Sequence, residues 1–238
     1  MQHSTRLIIE NEFRTSSVVV PVRFALISDL HNAVFDDILP KLETVDAVLV
    51  NGDLTDRHSK GCGFEHSVDF LRTVPKIRPV FYSLGNHERK MRERDAYFKA
   101  IAHTDVNLLD NSQAEFSGIY LGGLTSNAEG RADTGFLDRF EENNGYKLLL
   151  CHHPEVWARD VKGRNIDLTL CGHAHGGQIN ILGRGLFAPG QGLFPRYSGG
   201  MYGGGKMLLS RGMTNNTVFP RINNPCEFHI VTVKPDMV

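Results

Sequence analysis

Residues 24–31 read FALISDLH, an uninterrupted apolar run that ends in an aspartate and a histidine separated by one residue. A run of this kind is typical of a strand covered on both faces, as in a parallel sheet flanked by helices. The same design, an apolar run followed by metal-ligating side chains, recurs as AVLVNGDLTD at 47–56, PVFYSLGNHE at 79–88, KLLLCHH at 147–153 and LTLCGHAHGG at 168–177. Because the carboxyl ends of strands in an open α/β sheet meet at one edge, we expect these side chains to converge there.

The rest of the chain predicts an α/β fold. Apolar residues recur at helical spacing over 35–42, 64–71 and 91–102. Later segments favour strands at 107–109, 116–121, 178–182, 207–210 and 228–233, and short helices at 135–142 and 155–161. We therefore predict one domain over residues 1–238, with a mixed sheet or two sheets packed face to face between helices.

The composition is that of an ordinary globular chain. The 238 residues carry 26 basic and 27 acidic side chains, and this balance argues against bulk binding of nucleic acid, which needs a basic excess. The four cysteines form no C-x-x-C pair and are interpreted as reduced thiols. The apolar stretch 18–27 is too short to cross a bilayer, so we expect no transmembrane segment and a cytoplasmic location.

The spacing within two motifs favours shared ligation of a metal. In an extended chain residues i and i+2 point the same way, so Asp29 and His31 can face one ion, as can His173 and His175. Each motif alone is weak, because GDLTD could contain a helix cap and GNHE could be a turn. Five such motifs in this order, each at the end of a predicted strand, indicate a metal site. Since Asp, Asn and His ligands are mixed, we expect Mn, Fe or Zn.

The order D-x-H, GD-x-x-D, GNHE, an isolated His and GH-x-H resembles the calcineurin-like metallophosphoesterase superfamily. GHAHGGQ at 172–178 resembles the bacterial phosphodiesterase-like branch of that superfamily. The resemblance implies a four-layer αββα sandwich with two mixed β-sheets and a dinuclear metal site at the carboxyl edge of the strands. The ligands it implies are Asp29, His31 and His175 for the first metal, Asn86, His152 and His173 for the second, and Asp53 as the bridge between both.

The resemblance also implies two catalytic residues. His87 would donate a proton to the leaving oxygen, and Asp56 would orient its imidazole and raise its pKa. His153 is not a ligand in the family pattern. Two cations about 3.5–4 Å apart suit in-line displacement at phosphorus, because attacking and leaving oxygens both need stabilising. The expected activity is hydrolysis of a small phosphoester, specifically a phosphodiester, by a metal-bridging hydroxide.

Other interpretations stay open. GDLTDR and GNHE also resemble protein Ser/Thr phosphatases, although Leu84 stands where those enzymes usually carry arginine. Phosphomonoester hydrolysis is a further alternative, and a catalytically silent metal-binding scaffold is an alternative of another class. GMYGGGK at 200–206 matches a phosphate-binding loop, but Met207 replaces the required Ser or Thr, so we interpret the match as chance.

The glycine-rich stretch 183–205 is predicted to be a mobile loop near the metal edge. Its Arg184, Phe194, Arg196, Tyr197 and Tyr202 would be available to a substrate. Peripheral membrane contact, with a lipid-linked diphosphate as substrate, is compatible with the sequence.

Overall fold

The computed structural model describes residues 6–58, 63–125, 131–215, 217 and 219–236. Cys151, Cys171 and Cys226 are buried free thiols, whereas Cys62 lies outside the described residues. Across the described ranges, no helix combines the length and the apolar character that a membrane crossing requires.

Strands and helices alternate through most of the chain. The strands are β1 Leu7–Thr15, β2 Val22–Ile27, β3 Ala47–Asn51, β4 Val80–Ser83, β5 Val106–Leu108, β6 Ser112–Phe116, β7 Ile119–Leu124, β8 Tyr146–Cys151, β9 Leu168–Cys171, β10 Asn180–Ile181, β11 Arg184–Gly185, β12 Phe187–Ala188, β13 Gly192–Leu193, β14 Gly200–Tyr202, β15 Met207–Leu209 and β16 Glu227–Pro235. The α-helices are α1 Leu39–Leu42, α2 Glu65–Thr73, α3 Asn86–Lys90, α4 Arg94–Ile101, α5 Thr134–Glu141 and α6 Pro154–Val156. Three 3-10 turns cover Asp36–Ile38, Val74–Lys76 and His175–Gly177, and a π-helical turn covers Trp157–Val161.

Two six-stranded sheets form the centre of the fold. The first has the order β1-β16-β2-β3-β4-β5 and the second the order β14-β15-β9-β8-β7-β6. Each is mixed: β2, β3, β4 and β5 are parallel, and so are β7, β8, β9 and β15, while antiparallel pairs lie further out. The carboxyl ends of the parallel strands within each sheet therefore share one edge.

Three apolar clusters divide the molecule into four layers. Along β2, Ala25 and Ile27 belong to a cluster with helices α1, α2 and α4, whereas Phe24 and Leu26 belong to a second cluster between the sheets. Along β8 the alternation continues, since residues 148 and 150 face the first sheet and residues 149 and 151 pack with α5 and α6. Alternate residues of a strand point to opposite faces, so helix, sheet, sheet and helix are stacked. The predicted αββα sandwich is confirmed.

The structure differs from the sequence prediction in several elements. The predicted strand 116–121 is divided between β6 and β7, because Ser117 and Gly118 adopt positive φ values of 52° and 78° and turn the chain between them. The charged helix predicted at 91–102 begins at Arg94, after the separate helix α3. Strand β1 was not predicted; its side chains are half-buried or exposed at the sheet edge, and its apolar run is limited to residues 7–9.

Candidate metal centre

The predicted ligands lie in loops that leave both sheets at the carboxyl ends of their strands. Asp29 and His31 follow β2, Asp53 follows β3, Asn86 and His87 follow β4, His152 follows β8, and His173 and His175 follow β9. Side chains from the two sheets meet, since His152 Nε2 lies 3.1 Å from Asp53 Oδ2 and 3.8 Å from Asp29 Oδ1. The expected convergence at one edge is present.

The local backbone is not the extended chain expected from the D-x-H and H-x-H spacing. Several candidate ligands lie in the left-handed region, with φ of 55° at Asp29, 48° at His31, 50° at Asp53, 70° at His173 and 47° at His175. A residue with a side chain pays about 1–2 kcal/mol for this conformation, so the surroundings must impose it. The amides of Asp29 and His31 donate to the carbonyls of Gly52 (3.2 Å) and Asp53 (3.1 Å), which ties the first two loops together. The ligand pairs converge through tight turns, and the extended geometry was wrong.

Asp29, His31 and His175 form one group of ligand atoms within 4.8 Å of one another. His175 Nε2 lies 3.4 Å from Asp29 Oδ1 and 3.3 Å from His31 Nε2. All three side chains are buried. Ser28 Oγ donates to Asp29 Oδ2 at 2.6 Å, and this contact holds the carboxylate in place. The group has the composition that the resemblance implies for the first metal.

Asp53, His152 and His173 form a second group of the same kind. His152 Nδ1 lies 2.8 Å from the carbonyl oxygen of Asn51. A carbonyl can only accept, so Nδ1 carries the proton and Nε2 the lone pair in the neutral ring. A metal-ligating histidine is commonly held in orientation by a hydrogen bond from the ring nitrogen that does not bind the metal.

Unpaired buried atoms test whether metal ions fit these groups. Among the described residues, Asn86 Oδ1 is buried without a hydrogen-bond partner, and His152 Nε2 faces the Asp53 carboxylate oxygen 3.1 Å away. Leaving such an atom unsatisfied costs about 1–3 kcal/mol, which ligation of a cation would remove. Imidazole nitrogens, carboxylates and an amide oxygen suit first-row transition metals. The residues therefore fit two adjacent metal ions, and Asn86 lines the same cavity as Asp53 and His173.

Burial keeps three of the imidazoles neutral. It lowers the pKa of His31 to about 4 and that of His175 to about 3, and it lowers the pKa of His173 as well. At His175 the nearby Arg221 guanidinium adds to this effect. The neutral imidazole is the form that binds a metal, so these residues are ready for ligation at neutral pH.

His152 and Asp53 behave as a charged pair in the absence of metal. Burial alone would lower the pKa of His152, but the Asp53 and Asp29 carboxylates raise it to about 10. Burial would likewise raise the pKa of Asp53, yet the charge and proximity of His152 hold it well below its usual value. A metal ion at this position would take the place of the proton on His152.

Glu88 braces the loops that follow β3 and β4. It is fully buried, and its Oε2 accepts from the amides of Asp53 (3.0 Å) and Gly85 (2.8 Å). Its Oε1 accepts from the amide of Thr55 at 3.1 Å. Burial, followed by the charge of Asp53, raises the pKa of this carboxyl. One side chain therefore fixes the backbone on both sides of the candidate bridging aspartate.

Glycines allow these loops to approach each other. A Cβ atom at Gly85 would lie 2.2 Å from Asp53 Oδ1, and one at Gly172 would lie 2.0 Å from Ser28 Oγ. Real Cβ atoms are not found at such distances. The glycines of the GNHE and GHAH strings are therefore required by close packing around the carboxylates.

His87 lies beside the second group with one ring nitrogen facing it. Its Nε2 is 3.8 Å from Asp53 Oδ2, while its Nδ1 is 3.0 Å from the Arg57 amide and 3.3 Å from Asp56 Oδ1. In the neutral ring Nδ1 accepts from the Arg57 amide, whereas in the imidazolium the proton on Nδ1 faces Asp56 Oδ1. Burial would lower the pKa of His87, but the hydrogen bond with Asp56 and the charges of Asp53 and Glu88 raise it. The pKa of Asp56 is lowered to about 2, mainly by the hydrogen bond with His87.

His87 also lies close to two of the candidate ligands. His31, Asp53 and His87 also form a group within 4.8 Å. The pairing of His87 with Asp56, and its raised pKa, favour the proton donor that the resemblance implies. His153, not expected as a ligand, is in none of the groups found among the described residues, and burial lowers its pKa to about 3.

A cavity of about 840 Å³ opens over the candidate ligands. Its lining includes three side chains that the sequence analysis did not assign to the site: Lys90, Glu155 and Arg159. Glu155 and Arg159 are four residues apart in one helical segment after His153-Pro154, so they project to the same side. The four-residue spacing of Glu155 and Arg159 after the histidines is the sequence feature that could have indicated their place in the site.

Arg221 is a half-buried residue near the site that carried no local signal in the sequence. Its Nη2 lies 3.2 Å from His175 Nδ1 and donates to the carbonyl of Thr214, and its Nη1 donates to the carbonyl of Arg211. Tyr197, one of the residues expected to be available to a substrate, has a buried ring that packs against Trp157 and Tyr202.

The comparisons with known proteins agree with this architecture. The family model of the calcineurin-like phosphoesterases matches residues 22–177, which include every candidate ligand. This chain belongs to that family, and it contains groups of Asp and His residues that could bind metal.

Curated relatives cover much of the chain. An uncharacterized protein, YpbG, of Bacillus subtilis is 29% identical over 223 residues, which are 90% of this chain and 81% of that protein. Uncharacterized metallophosphoesterases of Campylobacter jejuni and Helicobacter pylori are 28% and 25% identical over 72% and 66% of this chain. The match spans only 47% and 45% of those two proteins.

Solved structures are more distant. The phosphopantetheinyl hydrolase of Mycobacterium tuberculosis aligns with a TM-score of 0.43 at 15% identity, over 66% of this chain and 84% of that chain. A protein serine/threonine phosphatase of Saccharomyces cerevisiae aligns with a TM-score of 0.37 at 17% identity, over 97% of this chain and 84% of that chain.

Proposed function

We propose that this chain is a dinuclear metal-dependent phosphoesterase that hydrolyses a small phosphodiester. The observation that carries the proposal is the presence of two adjacent ligand groups at one sheet edge, with His87 beside them. Family membership supports hydrolysis of a phosphoester. The mixed nitrogen and oxygen donors favour Mn, Fe or Zn.

Each candidate residue would have a specific role in metal binding or in hydrolysis. Two bound metal ions would neutralise the phosphoryl oxygens and activate water as the nucleophile. Asp29, His31 and His175 would hold one ion, and Asn86, His152 and His173 the other, with Asp53 between them. His87, as the imidazolium, would donate its Nε2 proton to the leaving oxygen, while its Nδ1 proton stays paired with Asp56 Oδ1 3.3 Å away. Asp56 would keep the imidazole in that orientation.

The form of the cavity supports a diester. A diester carries an organic group on each side of phosphorus, whereas a monoester carries one. The residues that line the cavity include the apolar Val156, Phe187 and Phe219 and the basic Arg57 and Lys90. The apolar side chains would take one organic group while the cations offset phosphate charge.

The proposal is tested by metal analysis together with a comparison of two substrates. The purified chain, supplied with Mn, Zn or Fe, should bind about two ions and hydrolyse bis(p-nitrophenyl) phosphate faster than p-nitrophenyl phosphate. Asp53→Asn is the matched loss-of-ligand variant and should lose both metal and turnover. Faster hydrolysis of the monoester would overturn the diester preference. Two bound ions without turnover on either substrate would overturn catalysis and favour the metal-binding scaffold.

A further inference from the structure

The edge that carries the candidate ligands also carries a concentration of exposed apolar side chains. Of the twelve large apolar residues that are exposed within the described ranges, seven lie in residues 181–194 and 219–222. These seven, which we call the apolar rim, are Ile181, Leu182, Phe187, Leu193, Phe194, Phe219 and Ile222. Isolated exposed apolar residues are normal, whereas a concentrated set of this kind marks a binding surface.

The apolar rim is attached directly to the metal edge. The Leu186 amide donates to the carbonyls of Gly177 (3.0 Å) and Ile179 (2.8 Å), and the Phe194 amide donates to the Leu186 carbonyl (2.8 Å). The second segment joins the first through the Asn180 amide, which donates to the carbonyl of residue 222 at 2.8 Å. Phe187 and Phe219 also line the cavity over the ligands. The rim therefore borders the mouth of that cavity.

Two rim residues have a backbone conformation that does not suit them. Leu182 and Gly183 form the two-residue loop between β10 and β11, with φ of 49° and 82°. Left-handed values at both positions are those of a type I′ turn, for which Asn-Gly is the preferred pair. Leu182 is fully exposed there, and Phe194, also at a positive φ of 52°, is 71% exposed. Neither solvation nor backbone preference explains these side chains, so a contact outside the chain is the remaining role.

The charge of the surrounding segment identifies the kind of partner. Residues 168–226 contain no Asp or Glu and five basic residues, although the whole chain has 27 acidic and 26 basic side chains. Two of the five, Arg184 and Arg196, are exposed next to the rim residues of the two hairpins. A basic surface of this kind attracts an anionic partner.

We propose that the apolar rim enters the interface of an anionic lipid bilayer, with Arg184 and Arg196 against the headgroups. Apolar side chains that project beside exposed basic residues are the combination that binds a charged bilayer surface. A protein partner would need a surface complementary to separate hairpin ends, whereas lipid adapts to them. In this orientation the cavity opens toward the membrane. The inference goes beyond the proposed hydrolysis and does not depend on it, since binding can be measured without turnover.

The experiment is vesicle co-sedimentation of the full chain. Wild-type protein should bind phosphatidylcholine vesicles that contain phosphatidylglycerol, and should bind pure phosphatidylcholine vesicles at least about tenfold more weakly. The variant Leu182→Asn/Phe194→Asn should lose at least about tenfold in affinity for the anionic vesicles, because two apolar anchors are removed. Arg184→Gln/Arg196→Gln should reduce binding to anionic vesicles only, and should weaken its dependence on salt.

Val19→Asn is the matched control. Val19 is 90% exposed and lies before β2, at the opposite end of that strand from Asp29 and His31. This variant should bind anionic vesicles like the wild type. Thermal unfolding shows whether each variant is folded, and Asn at Leu182 should not lower the melting temperature because it suits the left-handed turn.

Three results would overturn the proposal. These are failure of the wild type to bind either vesicle, equal binding by the folded rim variant, and equal loss in Val19→Asn. Self-association that is abolished in the rim variant, without any vesicle binding, would instead assign the rim to a contact between protein chains. Vesicle binding by a chain that hydrolyses no phosphoester would refute the proposed function and leave this inference standing.

Discussion

The loops after β3 and β4 and the hairpins of residues 180–193 lie at the same edge of the molecule but are built in opposite ways. In the loops, the polar side chains Asp53, His87 and Glu88 are buried and joined by hydrogen bonds to the neighbouring backbone. In the hairpins, apolar side chains such as Leu182 face solvent and the strands are two residues long.

Each region inverts the usual distribution of polar and apolar residues. Buried carboxylates and imidazoles are costly unless they are paired or bind a cation, and exposed leucine at a turn contributes nothing to the core. Under the two proposals made above, stability is given up in both places for binding, of metal ions in the loops and of an external surface at the hairpins. The following experiments test that contrast in order of decreasing expected effect.

The largest effect is expected for His87→Ala in the buried loops. Removing a positioned proton donor should lower kcat on a phosphodiester by about 10²–10⁴-fold. Metal content, measured by elemental analysis, should stay at the wild-type level because His87 is assigned no ligand role. Loss of an ion from this variant would show that His87 is a ligand and that the assignment is wrong.

Glu88→Ala should weaken the metal site without touching a ligand. Three backbone amides, those of Asp53, Thr55 and Gly85, would lose their acceptor. Loss of outer contacts of this type typically costs about 10–100-fold in metal affinity, and each unpaired buried amide costs about 1–3 kcal/mol of stability.

Metal titration and urea unfolding measure the two effects of Glu88→Ala. Glu88→Gln keeps one acceptor oxygen and should fall between the wild type and the alanine variant. Glu65→Ala, an exposed glutamate of α2, should change neither quantity. An alanine variant with unchanged metal affinity would mean that the Asp53 loop is held by other contacts.

Glu227 allows a test of how the stability of the fold depends on pH. It is buried, its Oε1 accepts from the Arg211 amide at 2.7 Å, and the same oxygen lies 2.8 Å from His229 Nε2. Burial would raise the pKa of Glu227, but the hydrogen bond and charge of His229 lower it below 4.5. A carboxyl with a lowered folded pKa stabilises the fold above its unfolded pKa, and this contribution is lost as pH falls through the folded value.

The stability difference between the wild type and Glu227→Gln should therefore be largest at neutral pH and shrink below about pH 4.5. Urea unfolding at a series of pH values measures it, and taking the difference removes the titration of all other groups. Glu115→Gln, at an exposed glutamate of β6, should show no such trend. A constant difference across the series would refute the lowered pKa.

The smallest effect is expected for Leu182→Asn on folding alone. Asparagine tolerates the left-handed conformation better than leucine, so the free energy of unfolding should rise by a few tenths of a kcal/mol up to about 1 kcal/mol. Urea unfolding in the absence of lipid measures this change. A clear loss of stability would mean that Leu182 packs within the fold, which would weaken the contrast between the two regions.

Local sequence was sufficient for the strands that carry the site. The apolar runs before Asp29, Asp53 and His152 predicted buried strands correctly, because burial on both faces leaves only apolar side chains. The order of the motifs also led to the family. The conformation of the ligand loops could not be predicted, because the left-handed φ at Asp29 and His31 depends on amides that bond to residues of the next strand loop.

Contacts between residues distant in sequence could not be predicted either. β1 pairs in parallel with β16, with Leu7 opposite Glu227, and no local pattern encodes a neighbour from the other end of the chain. Arg221 reaches His175 across 46 positions for the same reason. A sequence records which residues can be buried but not which surfaces meet.

By itself the sequence determined the α/β class, the strands that end in ligand residues and the chemistry of those ligands, since these follow from local hydrophobicity and side-chain type. Only the tertiary structure decided that two sheets bring the ligands into two adjacent groups, that Glu88 fixes the loops around Asp53, and that the apolar rim borders the cavity. These features come from contacts between segments distant along the chain, and such contacts exist only once the layers are packed.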